Sequence, residues 1–277
     1  MLTRRKLFQQ TAAAAAFAPL AAAQETPVLI DNPKGNFRFL KGSGPYSSGA
    51  VAHSGYEVVH AVFNPLPALD KAFGLIAGHL KAEGRSLHAL CGMELRIPKA
   101  LSFDGFNKFN QPYIEKLKSW DTHVDGLNPV ARTNVALEVN PVSVPSVNGF
   151  SYTMPSKHRG ATFVVAGAGE LKSNTLAGEE IVKRDDLSEA GLREKAAHVL
   201  GIMDERLKGL SVSWADATAS DIYCIHNIHA LMAKTILPMM HEGNRHGVRW
   251  YFSRPPIIEI EYEMDVRGVR QEIVLAG

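Results

Sequence analysis

The chain reads as an α+β protein, one strand-and-helix unit written twice. Three observations carry that reading. Residues 68–97 and 192–225 repeat one order, an amphipathic helix, a glycine stop at Gly84 or Gly209, a short loop and an apolar strand. Each is followed by a second helical stretch, 104–118 and 229–240, and then by an arginine at a strand entrance, Arg132 or Arg249. Between the copies runs Asn140-Pro141-Val142-Ser143-Val144-Pro145, whose prolines suit a linker. With 277 residues and 45% hydrophobic content, the chain can bury one large core or two modest ones.

Taken in order, residues 1–23 form a separate object, with Arg4, Arg5 and Lys6 ahead of an alanine-rich apolar run and Ala21-Ala22-Ala23 as a cleavage site. Thr3-Arg4-Arg5-Lys6-Leu7-Phe8 resembles the twin-arginine motif of bacterial Tat leaders, which implies a periplasmic or secreted protein. The run falls short of the ~20 apolar residues that cross a bilayer. Removing the leader leaves 27 basic against 28 acidic residues, so the basic balance belongs to the leader and no phosphate-tracking surface remains. Nucleic acid is not an expected partner, and the mature chain has no expected membrane span.

The first unit, 24–145, opens on the turn Gly44-Pro45-Tyr46-Ser47-Ser48 and a strand over 56–62. The second, 146–277, opens on Gly149-Phe150-Ser151-Tyr152, read as a turn, and a strand over 162–166. Near its end Glu259, Glu261 and Glu263 alternate, which predicts three carboxylates on one face of a final strand. Cys91 and Cys224 each sit in an apolar run, and spacing leaves open whether they pair.

Several motifs fail on geometry. His241 and His246 are five apart across Gly243, where a zinc-protease helix needs four, and His226 with His229 lacks a third ligand, so no metal is expected. Val165-Ala166-Gly167-Ala168-Gly169 has Lys172 where a dinucleotide loop carries its third glycine, and no cofactor is expected. Ser47 and Ser48 lack a Gly-x-Ser-x-Gly elbow.

Gly44-Pro45-Tyr46-Ser47, Gly84-Arg85-Ser86-Leu87 and Ala131-Arg132-Thr133, with strands at 163–167 and 258–261, resemble the RidA/YjgF family of enamine and imine deaminases. The resemblance implies two tandem chorismate mutase-like units, each a mixed sheet with two helices on one face, and a homo-oligomer. It also implies a cleft where the Tyr46 and Ser47 turn meets a carboxylate-binding arginine, Arg132 or Arg249. A guanidinium suits that task because its planar fork binds a carboxylate through two hydrogen bonds. Glu259 matches the family's water-activating glutamate.

The expected function is an exported enamine/imine deaminase, or a related hydrolase, acting on a small carboxylic acid. A non-catalytic small-acid binding protein is the alternative. A chorismatase-like hydrolase, also resembling tandem units of this kind, is a more distant one.

Overall fold

A computed structural model describes residues 28–172 and 180–277. The leader expected at 1–23 lies outside the described residues. Strands numbered in chain order build two sheets. The seven-stranded sheet runs β1 (Leu29–Asn32), β2 (Phe37–Leu40), β3 (Gly49–Ala52), β8 (Phe163–Gly169), β12 (Glu263–Gly268), β9 (Ala219–Tyr223), β10 (Arg249–Tyr251). The six-stranded sheet runs β11 (Ser253–Arg254), β6 (Ala131–Leu137), β5 (Leu90–Ile97), β7 (Ser146–Pro155), β4 (Tyr56–Phe63), β13 (Gln271–Leu275).

Each sheet draws strands from both sides of residue 145, which corrects the expectation of two tandem RidA/YjgF-like units. β3 pairs with β8 and carries β1 and β2 into the seven-stranded sheet, while β7, β11 and β13 complete the six-stranded one. The physical reason is edge satisfaction. An open strand edge is a row of unpaired amides, and β13 covers the edge of β4 as β3 covers that of β8. The turn expected at 149–152 is likewise the middle of β7, where Val147, Phe150 and Tyr152 are buried.

Helices flank the paired sheets. α1 (Leu69–Ala82) and α2 (Phe103–Ser119) bury Phe73, Ile76, Leu80, Tyr113 and Leu117 against the six-stranded sheet. Gly84 ends the first run at φ 67, the left-handed conformation that glycine takes without strain. Ser102 caps α2 by accepting from Gly105 N at 3.1 Å. On the opposite side, α3 (Glu189–Gly209) packs Leu192, Val199, Leu200 and Met203 against the seven-stranded sheet.

The second helix expected at 229–240 is interrupted: α4 (His229–Leu231), a π-helical turn (Met232–Ile236) and α5 (Leu237–Met239). Pro238 has no amide hydrogen to continue an α-helical ladder. Between the sheets lies a small apolar cluster including Phe37, Phe39, Val58, Cys91 and Val164, bordered by buried charge. Cys91 and Cys224 are both free and buried, Cys224 in the helix-covered core instead. No helix among the described residues is long and apolar enough to cross a membrane.

Candidate active site

The Gly44-Pro45-Tyr46-Ser47 stretch is a turn closed by Tyr46 N donating to Ser43 O at 3.0 Å. Three further bonds fasten it to the approach of β6: Ser47 N to Val130 O, Ser47 Oγ to Pro129 O (both 3.0 Å), and Asn128 Nδ2 to Pro45 O (2.7 Å). Ser47 is therefore consumed in holding the turn. Tyr46 is what the turn presents, its ring 4.8 Å from the Arg132 guanidinium carbon.

Arg132 is 3% exposed. Its guanidinium also lies over Tyr113 (4.6 Å) and Phe106 (5.6 Å), both from α2, and Nη2 donates to Asn110 Oδ1 at 2.6 Å. Nη1 is buried with no hydrogen-bond partner. Burial pulls the guanidinium's pKa down, opposed by Tyr113, Tyr46 and Glu263, yet an arginine keeps its charge in a protein. A buried cation with a free donor is costly unless an anion completes it.

The nearby acid is Glu263, at the start of β12. Burial, reinforced by Asp265 and Glu170, holds its carboxyl well above the usual carboxylate range, against the opposing pull of Arg132 and Arg206. The carboxyl's place is set by the opposite strand. Between Ala168 and Val165, β8 carries one residue more than β12, a bulge at Ala166 and Gly167. A Cβ at 167 would stand 2.2 Å from Glu263 Oε1, so glycine there leaves room for the carboxyl. The apolar wall beside the site combines Phe106, Ile257 and Ile260 with Tyr46.

A narrow cleft lined by Gly92, Glu94, Arg132, Thr133, Ser151 and Asp265 continues into the layer between the sheets. There Thr133 Oγ1 and Tyr223 OH donate to Asp265 Oδ2 at 2.6 and 3.0 Å. Glu94, Asp221 and Asp265 bring carboxylate oxygens within 4.8 Å of one another, but Arg267 Nη1 already supplies a cation, 2.7 Å from Asp221 and 3.4 Å from Glu94. His60 stands beside Ser151, Nδ1 to Oγ 2.9 Å, and burial lowers its pKa to about 4, leaving it neutral.

Of the residues expected from sequence, the structure brings Tyr46, Ser47 and Arg132 together. Arg249 and Glu259 lie elsewhere. Arg249 opens β10 with its side chain 47% exposed and 3.4 Å from Glu272. Glu259 is not on a strand: it sits in a turn at φ 82, its carboxylate 2.7 Å from Arg184. Glu261 pairs with His226 at 2.7 Å, and only Glu263 reaches the ladder. The single-face expectation fails because Pro255 and Pro256 interrupt extension and because Glu170 accepts from Glu261 N (2.7 Å) and Tyr262 N (3.0 Å), diverting both amides from any neighbouring strand. Asn110 and Tyr113 contact Arg132, and Arg206 joins Arg132 in acting on Glu263. Of Asn110, Tyr113, Arg206 and Glu263, only Glu263 carried a sequence signal, its place in the alternating acids.

Fold and pocket together define a class: a two-sheet protein with a buried arginine, one of its donors unpartnered, close to a buried carboxyl group. Comparison of sequences makes that particular. The sequence profile of the 2-aminomuconate deaminase CnbZ family matches residues 29–273. A 2-amino-5-chloromuconate deaminase of Comamonas testosteroni is 36% identical over 244 residues, 87% of this chain and 96% of that protein. The chain belongs to the 2-aminomuconate deaminase family. Among solved structures, a chorismatase aligns with a TM-score of 0.45 at 11% identity, over 88% of this chain and 80% of the other.

Proposed function

We propose that this protein hydrolyses the carbon–nitrogen bond of a 2-aminomuconate-type enamine, releasing ammonia and leaving the 2-oxo acid. The observation that carries the reading is the unpartnered Nη1 of buried Arg132 beside the buried carboxyl of Glu263, whose pKa burial raises. Membership of the deaminase family supports it.

The chemistry needs two proton movements that one carboxyl group can relay. The substrate carboxylate beside the amino-bearing carbon completes Arg132, and the conjugated carbon chain lies along Phe106, Ile257 and Ile260. Glu263 protonates the enamine carbon, turning C=C–NH2 into an iminium. As a carboxylate it then takes a proton from the water that adds to the iminium carbon. That proton passes to nitrogen as the C–N bond breaks, ammonia leaves, and the carbinol proton restores the Glu263 acid. The role expected for Glu259 falls to Glu263 in this scheme, because Glu259 is bound to Arg184 in an exposed turn.

The test is ammonia release from freshly generated 2-aminomuconate. Wild-type protein is expected to exceed buffer by orders of magnitude, and Glu263→Gln to retain binding while losing rate. A wild-type rate equal to buffer would leave an acid-binding protein.

A further inference from the structure

Helix α3 brings a second cation to the pocket. Arg206, in its last turn, donates through Nη1 to the carbonyl oxygens of Ala166 (2.9 Å) and Gly167 (3.5 Å). Those carbonyls belong to the β8 bulge, and Gly167 is the residue packed against the Glu263 carboxyl. Arg206 therefore stands on the opposite strand's side of the acid that Arg132 also faces. Both guanidinium charges act on Tyr46 and Glu263.

Arg132 donates to the Asn110 side-chain oxygen and Arg206 to two backbone carbonyls, all of them uncharged acceptors. Burial raises the Glu263 pKa, and Asp265 is pushed up in the same sense by burial and by Asp221 and Glu94, its Oδ2 already taken by Thr133 and Tyr223. Glu205, the adjacent acid on α3, also acts on Arg206, but it is exposed, where water and salt screen its charge. Two cations from separate elements thus flank one buried carboxyl and an apolar wall, an arrangement matched by a ligand with a carboxylate at each end of a hydrocarbon chain.

We infer that Arg206 is the anchor for the second carboxylate, so that the pocket selects dicarboxylic acids over monocarboxylic acids of the same carbon skeleton. The inference builds on the deaminase reading for its substrate class, but its test does not depend on turnover.

Two stable six-carbon dienes, trans,trans-muconate and sorbate, differ in one terminal carboxylate and serve as probes in titration calorimetry. Wild-type protein is expected to bind muconate roughly ten- to a hundredfold tighter than sorbate, the scale of one charge-assisted contact. Arg206→Gln should bring muconate down to the sorbate level and leave sorbate unchanged. Arg132→Gln should weaken both. Should Arg206→Gln fail to fold through loss of its bonds to the bulge, Arg206→Lys, which keeps a donor but not the fork, is expected to reduce the same ratio. Equal wild-type affinity for the two acids, binding of neither, or an equal loss for both in a folded Arg206 variant would overturn the assignment. A wild-type protein that prefers muconate yet does not deaminate 2-aminomuconate would sink the deaminase reading and leave the anchor standing.

Discussion

Arg132 and Arg249 occupy matching places. Each lies at the beginning of a strand that follows two helical segments and runs parallel to its neighbour, β6 beside β5 and β10 beside β9. Their surroundings differ. Arg132 is buried among three aromatic rings with a donor unused, whereas Arg249 is half exposed and already faces Glu272. Position in the chain equips both to meet a carboxylate. Only the one without an internal anion is left in need of a ligand, so burial and pairing, more than placement, separate a site from a strut.

The sharpest way to break this comparison is to remove the chemistry from the Arg132 side. Glu263→Gln is expected to lower kcat by about a hundred- to ten-thousandfold with muconate affinity nearly unchanged, measured by steady-state ammonia release and calorimetry. An active variant would move the proton relay to another group. The same acid fixes the pH profile. Its pKa is raised above the usual carboxylate range, so the donor is present at low pH and is lost as pH rises through that raised value. The alkaline fall in kcat/KM should therefore disappear from the residual activity of Glu263→Gln, as a pH series will show.

Gly167→Ala tests placement alone. The added methyl would meet Glu263 Oε1, and a displaced carboxyl is expected to cost about a hundredfold in kcat while thermal unfolding shows a folded protein. Arg132→Lys keeps the charge and loses the fork, with an expected ten- to hundredfold loss in kcat/KM. At the small end, Arg249→Lys should change kcat/KM by less than about twofold, since an exposed pair such as Arg249–Glu272 contributes little. A large loss there, with Arg132→Lys unaffected, would reverse the comparison.

Much of this site was legible in the sequence because it rests on local rules. The Gly44–Pro45 turn had to present Tyr46 at a fixed angle, and Arg132 was correctly placed at a strand entrance. Alternation put Glu259, Glu261 and Glu263 on one strand face but began that strand five residues early, at 258, so only Glu263 is on the ladder. Pro255, Pro256 and the Glu170 carboxylate hold 255–262 off the ladder, and the effect of a buried side chain 91 residues away does not show in a local pattern. Arg206 was invisible for a related reason. On a helix rich in charged residues it reads as solvated surface, and the bulge in β8 gives it two carbonyl partners. The two-unit architecture misread the edges: the helix and strand order was visible, whereas the choice of β13 to cover β4 is made in three dimensions.

That last pairing bears on how the protein is made. Gln271 stands opposite Val59 and Leu275 opposite Phe63, so the six-stranded sheet gains this border from a strand that leaves the ribosome after the sheet's other five. Through most of synthesis β4 presents a bare border, the kind of surface that recruits a neighbouring nascent chain or a chaperone. A message truncated before codon 271 would yield a product holding Tyr46, Arg132, Arg206 and Glu263 whose sheet never closes, and whose fate is set by solubility before it is set by catalysis.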